Sequence, residues 1–175
     1  GYTVLLYRNL SKTEITGGIA RNDNVFSDGL DYRQFRAMYS TGQSVAFYNT
    51  GINILQMRQD TTSFQFYNGF IGVGVATPRT RFSVDIGLTY KRGIDLSGLG
   101  FYWGLGFDWL MFNPVSLITR FDGAVQPNLF EGKSNWKYSQ FYIGPQLNVG
   151  PFALGAGYQW STGFDGWLLT ARTTL

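Results

Sequence analysis

The chain has 175 residues, of which 44% are hydrophobic, 18% aromatic and only 14% charged, with 23 glycines and a net charge of +3. This charged fraction lies well below the roughly 25% of an ordinary soluble domain, and the 14 basic residues are scattered, which excludes a nucleic-acid surface built from a basic run. Every hydrophobic run is shorter than the roughly 18 apolar residues of a spanning helix, and the chain contains neither cysteine nor histidine.

The N-terminal quarter of the chain holds two predicted strands. Residues 2–10 are apolar but alternate poorly, so a strand, a short amphipathic helix and a segment lying against the fold stay open as alternatives. Residues 13–21 and 32–39 alternate as strands do, and residues 40–43 have the composition of a turn. We place residues 1–11 outside the strand ladder, as a peripheral segment.

Two longer segments, residues 44–57 and 63–76, change parity part-way along. In each, the large side chains occupy one set of alternate positions first and the other set afterwards. The change lies near Phe47 or Gly51 in the first segment, and after Phe66 in the second. An extra residue on one strand of a pair produces such a change, so we predict a β-bulge in each segment.

The clearest strand follows, at residues 81–92. Its large apolar residues stand at strict period two and are separated by polar residues or glycine: Phe82, Val84, Ile86, Leu88 and Tyr90. Residues 101–111, 141–149 and 152–160 repeat the pattern. Successive side chains of a strand point to opposite faces, so each segment has one apolar face and one small or polar face.

Glycine on the second face decides between two architectures. A solvent-facing row in a soluble sheet favours Thr, Lys or Glu, whereas the interior of a narrow barrel needs small residues. We therefore predict an all-β fold: a closed antiparallel transmembrane β-barrel that forms one domain over residues 1–175 and points its large residues at lipid. Eight strands beginning near Ser44 and two before it make ten, with eight and twelve as alternatives.

The connections support this interpretation because short and long ones alternate. Short turns are centred on Pro78, Pro114 and Pro151, and longer polar segments are expected at residues 93–98, 127–135 and 161–166. Outer-membrane barrels have tight turns at one end and long loops at the other.

In these features the chain resembles the small outer-membrane β-barrels of Gram-negative bacteria. The resemblance is one of architecture, is clearest over residues 44–175, and identifies no subfamily. It implies location in the outer membrane, with the lipid bilayer and lipopolysaccharide as partners. It also implies an aromatic girdle near the headgroups, made of Trp103, Trp109, Tyr158, Trp160 and Trp167.

If the apolar parity faces lipid, the opposite parity lines the lumen. The predicted lumenal charge cluster consists of Asp85, Asp108, Arg120, Asp122 and Arg172. Further lumen-lining residues are Lys91, Tyr102, Tyr138, Gln140, Tyr142, Gln146, Asn148 and Gln159. Asp85, Asp108 and Arg120 are expected at one level on neighbouring strands, where Arg120 bonds Asp85, Asp108 or Asp122 and either ties the strands together or forms a charged constriction.

Catalytic chemistry is not expected. A Ser, His and acid arrangement and imidazole metal ligation both need histidine, and the carboxylates are better explained by Arg120 beside them. We predict no catalytic residues, no metal and no cofactor.

Two non-enzymatic functions remain. The first, which the polar, glycine-lined interior favours, is a narrow pore for small solutes or ions with a charged constriction. The second is a closed barrel that serves as a membrane anchor, binding or assembly subunit. The loop from Pro127 to Asn135 is the candidate contact with another outer-membrane protein, because it carries Leu129 and Phe130 among polar residues; the alternative is an ordinary loop folded over the rim.

Overall fold

The structure is a computed structural model that describes residues 12–21, 31–43, 45–59, 62–93, 98–126, 136–162 and 164–174. These residues form ten strands: β1 (Lys12–Arg21), β2 (Asp31–Gln43), β3 (Ala46–Gln59), β4 (Thr62–Ala76), β5 (Thr80–Arg92), β6 (Gly98–Phe112), β7 (Val115–Val125), β8 (Lys137–Val149), β9 (Phe152–Ser161) and β10 (Phe164–Thr174). The segment 1–11 and the loop 127–135 lie outside the described residues.

The strands form one sheet that closes on itself. Each strand pairs antiparallel with its neighbour in sequence, and β1 also pairs with β10, so that Gly17 lies opposite Ala171 on one side and Phe35 on the other. The all-β antiparallel architecture is thereby confirmed. Among the described residues, no helix is long and apolar enough to cross a membrane.

Strict alternation separates an outer face from an inner one. In β5, Phe82, Val84 and Ile86 are exposed on the outside, whereas Ser83 and Asp85 between them are buried inside. In the three segments that repeat the pattern, Phe107, Leu147 and Leu154 are also exposed on the outside. The period-two pattern therefore assigns the faces of these strands correctly, because a pleated backbone turns successive side chains to opposite sides.

The two predicted bulges are wrong. The pairing of β3 with β2 and β4, and of β4 with β5, runs without a register shift. Phe47, Leu55 and Met57 point inward from β3, and Phe66 and Phe70 point inward from β4. Large apolar residues thus occupy the inner face of these two strands, and the outer face keeps its parity throughout. A register shift occurs instead between β6 and β7, at Leu110 and Phe112.

Two predicted connections also differ. Residues 40–43 belong to β2, whose pairing with β3 continues to Gln43 opposite Ala46. Residues 161–166 form no long loop, since Ser161 pairs with Phe164. The short turns at 77–79, 113–114 and 150–151 lie at one end of the barrel, hereafter the turn end; the opposite end, with the connections 93–97 and 126–136, is the loop end.

Closure through β1 can be tested with an engineered disulfide, since the chain contains no cysteine. Gly17→Cys with Ala171→Cys should cross-link on oxidation, because paired residues on adjacent strands lie within disulfide reach. The matched control is Ala171→Cys with Phe35→Cys, which β1 keeps two strand spacings, roughly 9 to 10 Å, apart. Cross-linking of the control pair in non-reducing gels would contradict the placement of β1 between β2 and β10.

Candidate functional site

All thirteen residues predicted to line the lumen lie on the inner parity of β5 to β10. Asp85, Asp122 and Gln159 are at most 1% exposed, and Lys91, Tyr102, Gln146 and Arg172 are also buried. The predicted charged residues therefore face the interior, where the strand walls hold them within reach of one another. The register between the strands determines which of these residues contact one another.

Asp85 is the centre of the interior network. Its Oδ2 atom accepts from Nη2 of Arg120 at 2.6 Å and from Nη2 of Arg36 at 2.8 Å. Its Oδ1 atom accepts from Nδ2 of Asn49 at 2.8 Å. A carboxylate removed from water in this way retains its charge only with such partners, and here β2, β3 and β7 provide them.

Asp122 forms the second half of the network. Oδ1 accepts from Nε of Arg120 at 2.9 Å and from the Tyr102 hydroxyl at 2.5 Å, and Oδ2 accepts from Nε2 of Gln140 at 3.0 Å. The Tyr102 oxygen in turn accepts from Nη2 of Arg120 at 3.0 Å. Arg120 thus joins Asp85 and Asp122, and the network crosses the lumen from β2 to β8.

Glycine makes room for this network. A Cβ atom at Gly104 would lie 2.6 Å from both Nη2 of Arg120 and Oδ1 of Asp122. At Gly72 it would collide with the Asp85 carboxylate and the Asn49 amide. The inward glycines that indicated a barrel therefore have a local function, because a larger side chain would displace the bonded groups.

Asp108 and Arg172 stand apart from the network, contrary to the expected shared level. Nη1 of Arg172 lies 3.5 Å from Oδ2 of Asp108. In the register, Asp108 is opposite Ile118, one inward position closer to the turn end than Arg120. The Arg120 side chain reaches the other way, towards Asp85 and Asp122, so the five predicted residues divide into two groups.

Arg36 and Asn49 are the members of the network that the sequence did not single out. The available indication was parity: Arg36 lies within the predicted strand 32–39, and Asn49 alternates with the outward residues Tyr48 and Thr50. The sequence assigned no face to the strand 32–39, and the bulge predicted near Phe47 or Gly51 left the face of Asn49 open.

An apolar plug fills the lumen towards the loop end, where small and polar residues were expected. Its buried members are Leu55, Met57, Phe66, Ala124, Trp136, Tyr138, Tyr142 and Leu168, with Phe64 and Ile118 packed against them. The Phe66 ring stacks on Tyr138 at 5.1 Å between centroids and meets Trp136 edge-on at 5.4 Å. Leu55 has no exposed surface and Leu168 only 2%.

Lys91 is held inside this plug by aromatic faces. Its Nζ atom lies 4.9 Å from the centre of the Phe64 ring, 5.7 Å from Trp136 and 5.9 Å from Phe66. Ring faces stabilise a cation that has lost part of its hydration. Lys91 therefore lies in the lumen, as predicted, and its ammonium group contacts the aromatic rings of the plug.

A cavity of about 110 Å³ lies on the turn side of the network. Arg36, Arg120 and Arg172 form part of its wall, together with Asp108, and Arg81 lines it at the turn end. Nη2 of Arg81 donates to the Ser40 hydroxyl at 2.9 Å, and its guanidinium lies 4.5 Å from the centre of the Phe47 ring. From turn end to loop end the interior thus has three main levels, the cavity, the ionic network and the apolar plug, and the plug residues Ile118, Tyr142 and Leu168 also line the cavity.

The aromatic residues predicted for the girdle lie outside the barrel. Trp109 is near the turn end, and Tyr158, Trp160 and Trp167 are near the loop end. The prediction that Trp103 lies at an end of the barrel is wrong. Trp103 pairs with Ile86 at the middle of β5 and packs against Phe121 with 4.8 Å between ring centroids. Alternation assigns Trp103 to the outer face but does not predict its position along the barrel axis.

The described part of the chain contains no group of three acidic, histidine or cysteine side chains that could hold a metal ion. Each carboxylate of the network is already engaged by a guanidinium. The arrangement is suited to holding strands together and to presenting cationic groups to the cavity.

Comparison with protein-family models gives no match, and no curated protein matches the sequence. The chain is similar to solved outer-membrane β-barrels. The outer membrane protein Ail of Yersinia pestis, in a phospholipid bilayer nanodisc, has 12% identity and a TM-score of 0.47, with 94% of this chain and 98% of Ail covered. OpdL of Pseudomonas aeruginosa has 9% identity and a TM-score of 0.35, over 94% of this chain and 98% of OpdL. LpxR from Salmonella typhimurium has 9% identity and a TM-score of 0.28, over 95% of this chain and 99% of LpxR.

Removal of the central guanidinium should destabilise the barrel. Arg120→Ala leaves Asp85 and Asp122 without their shared partner, and breaking a buried pair in this way costs about 3 to 5 kcal/mol. Arg92→Ala is the control, since Arg92 is exposed at the end of β5 and should change the free energy of unfolding by less than about 0.5 kcal/mol. Urea titration of the folded protein measures both; equal effects of the two changes would show that the network does not stabilise the fold.

Proposed function

We propose that the chain is a non-enzymatic β-barrel of the bacterial outer membrane, with its ten strands spanning the bilayer. Support comes from its outer surface, where large apolar residues are exposed on each strand from β2 to β10, among them Ile71 at 64%, Ile86 at 60%, Leu154 at 66% and Leu169 at 60%. Monomeric soluble proteins seldom expose so continuous an apolar area, whereas a barrel in lipid requires it.

Within this class, the interior supports a closed barrel that acts as a membrane anchor, binding or assembly subunit. The observation that carries the proposal is the burial of Asp85 and Asp122 at the middle of the lumen, bonded to side chains from β2, β3, β6, β7 and β8. A water-filled channel would leave these carboxylates hydrated. The apolar plug adds a second barrier nearer the loop end, with Leu55 fully buried.

A narrow pore for small solutes or ions is the second candidate. The cavity favours it, because a space lined by polar and charged side chains adjoins the network, and Asp108, which lines this space, keeps 21% of its side-chain surface exposed. In such a pore Arg120, Asp85 and Asp122 would form the constriction. Opening would require both the ionic network and the apolar plug to separate.

Partners follow from the same geometry. The apolar outer face would contact bilayer lipid, and the loop end would face lipopolysaccharide if the turn end is periplasmic, as in other barrels of this class. The loop from Pro127 to Asn135 stays the candidate contact with another outer-membrane protein. Its base is held by the Gln126 N–H, which donates to the Trp136 carbonyl at 3.0 Å.

Electrical recording separates the two candidates. The purified barrel in a planar bilayer should show no steady conductance, because network and plug close the lumen in series. Arg120→Ala with Trp136→Ala should produce cation-selective conductance, since both barriers are weakened and the carboxylates remain; Arg92→Ala should stay silent. Stable conductance of the unmodified protein would favour the pore.

Insertion into lipid should depend on the outer face in a depth-dependent way. Ile86→Arg, at the middle of β5, should destabilise the barrel folded in lipid vesicles by about 2 to 4 kcal/mol. Leu99→Arg, equally exposed but next to the connection at the loop end, should cost at most about 1 kcal/mol. Equal tolerance of both changes would mean that the centre of this face does not contact lipid.

A further inference from the structure

The cavity beside the network has a wall that is rich in guanidinium groups. Of its charged lining residues in the described part of the chain, four are arginines, Arg36, Arg81, Arg120 and Arg172, and one is a carboxylate, Asp108. Asp85 and Asp122 do not line it, although Arg36 and Arg120 bond them. The network therefore presents its cationic side to the cavity and its anionic side to the sealed interior.

Arg120 shows this orientation atom by atom. Nε and Nη2 donate to Asp122, Asp85 and Tyr102, whereas Nη1 donates to none of the described residues. Nη1 points towards Gly106, a lining residue whose missing side chain leaves that side of the guanidinium open. Arg120 retains 16% exposure and Arg36 retains 11%, although the carboxylates they bond are buried.

We infer that this cavity binds a small oxyanion, such as phosphate or a small carboxylate, which enters from the turn end. A guanidinium presents planar N–H pairs that match two oxygens of such an anion, and the partly enclosed site strengthens the attraction. A volume of about 110 Å³ has room for a few water molecules or one compact anion. The Ser83 hydroxyl and the Gln146 amide supply neutral donors on the same wall.

The direction of entry follows from the three levels of the lumen. The apolar plug closes the interior towards the loop end, while Arg81 lies one residue into β5 and Arg172 two residues before the end of β10, both at the turn end. For the part of the chain that the structure describes, the turn end is therefore the side from which an anion would reach Arg120. The inference holds for a closed barrel and for a pore, since the site precedes the network in either case.

Calorimetric titration of inorganic phosphate into the folded protein, in a low-chloride buffer, tests the site, and a parallel titration uses sodium acetate. We expect saturable binding of one phosphate per chain. Arg120→Gln should weaken it by at least about tenfold, the effect of losing a charge-assisted bond. Gly106→Val should weaken it similarly with every charge retained, because a Cβ there lies 2.9 Å from Nη1 of Arg120 and 2.7 Å from the Ser83 hydroxyl.

Arg79→Gln is the matched control, because Arg79 is exposed in the turn at the same end and loses the same charge outside the cavity. The affinity of the Arg79→Gln variant for phosphate should equal that of the unmodified protein. If Arg120→Gln does not fold, Gly106→Val alone decides the matter. The inference is overturned if neither phosphate nor acetate binds saturably, if Gly106→Val binds as the unmodified protein does, or if Arg79→Gln weakens binding as much as the cavity variants do. Binding of acetate but not phosphate would restrict the site to carboxylates and leave the inference standing.

Discussion

Closure of the sheet is the constraint on which the rest of the structure depends. Because β1 pairs with β10, each of the ten described strands is hydrogen-bonded to a neighbour on both sides, and this sheet has no open edge to be satisfied by water or another chain. Closure also leaves each side chain only two destinations, inside or outside. The outer face then takes the large apolar residues, and the inner face must fill a narrow space.

The narrow interior explains why the buried carboxylates lie apart from the apolar plug, in which Lys91 is the charged side chain held by aromatic rings. Asp85 would be costly to bury alone, and Arg36, Asn49 and Arg120 reach it because the opposite walls are close. Nearer the loop end, Phe66 and Trp136 pack without polar partners of that kind. Each level is consistent in itself: the carboxylates accept from several donors, and the plug excludes water from the side of the network that faces it.

This layering relates the two functional proposals. A network that holds six strands together at mid-lumen suits an anchor or assembly subunit, while its exposed guanidinium side gives the turn end of the same lumen a binding surface. Both properties come from Arg120, which bonds inward through Nε and Nη2 and leaves Nη1 towards the cavity. One side chain can thus stabilise the barrel and contact a ligand, because a guanidinium has donors on more than one edge.

The sequence alone determined the alternation of faces, the antiparallel sheet and the inward position of Asp85, Arg120 and Asp122, because period two depends only on the geometry of a single strand. It could not determine which inward residues meet. Arg36 bonds Asp85 across the lumen although 49 positions separate them, and Asp108 pairs with Arg172 and not with Arg120. Nor could it show that Phe47 and Phe66 point inward. These inward apolar side chains produced the changes of parity from which bulges were predicted. Contacts across a lumen depend on closure, register and strand tilt together, and these exist only in the assembled barrel.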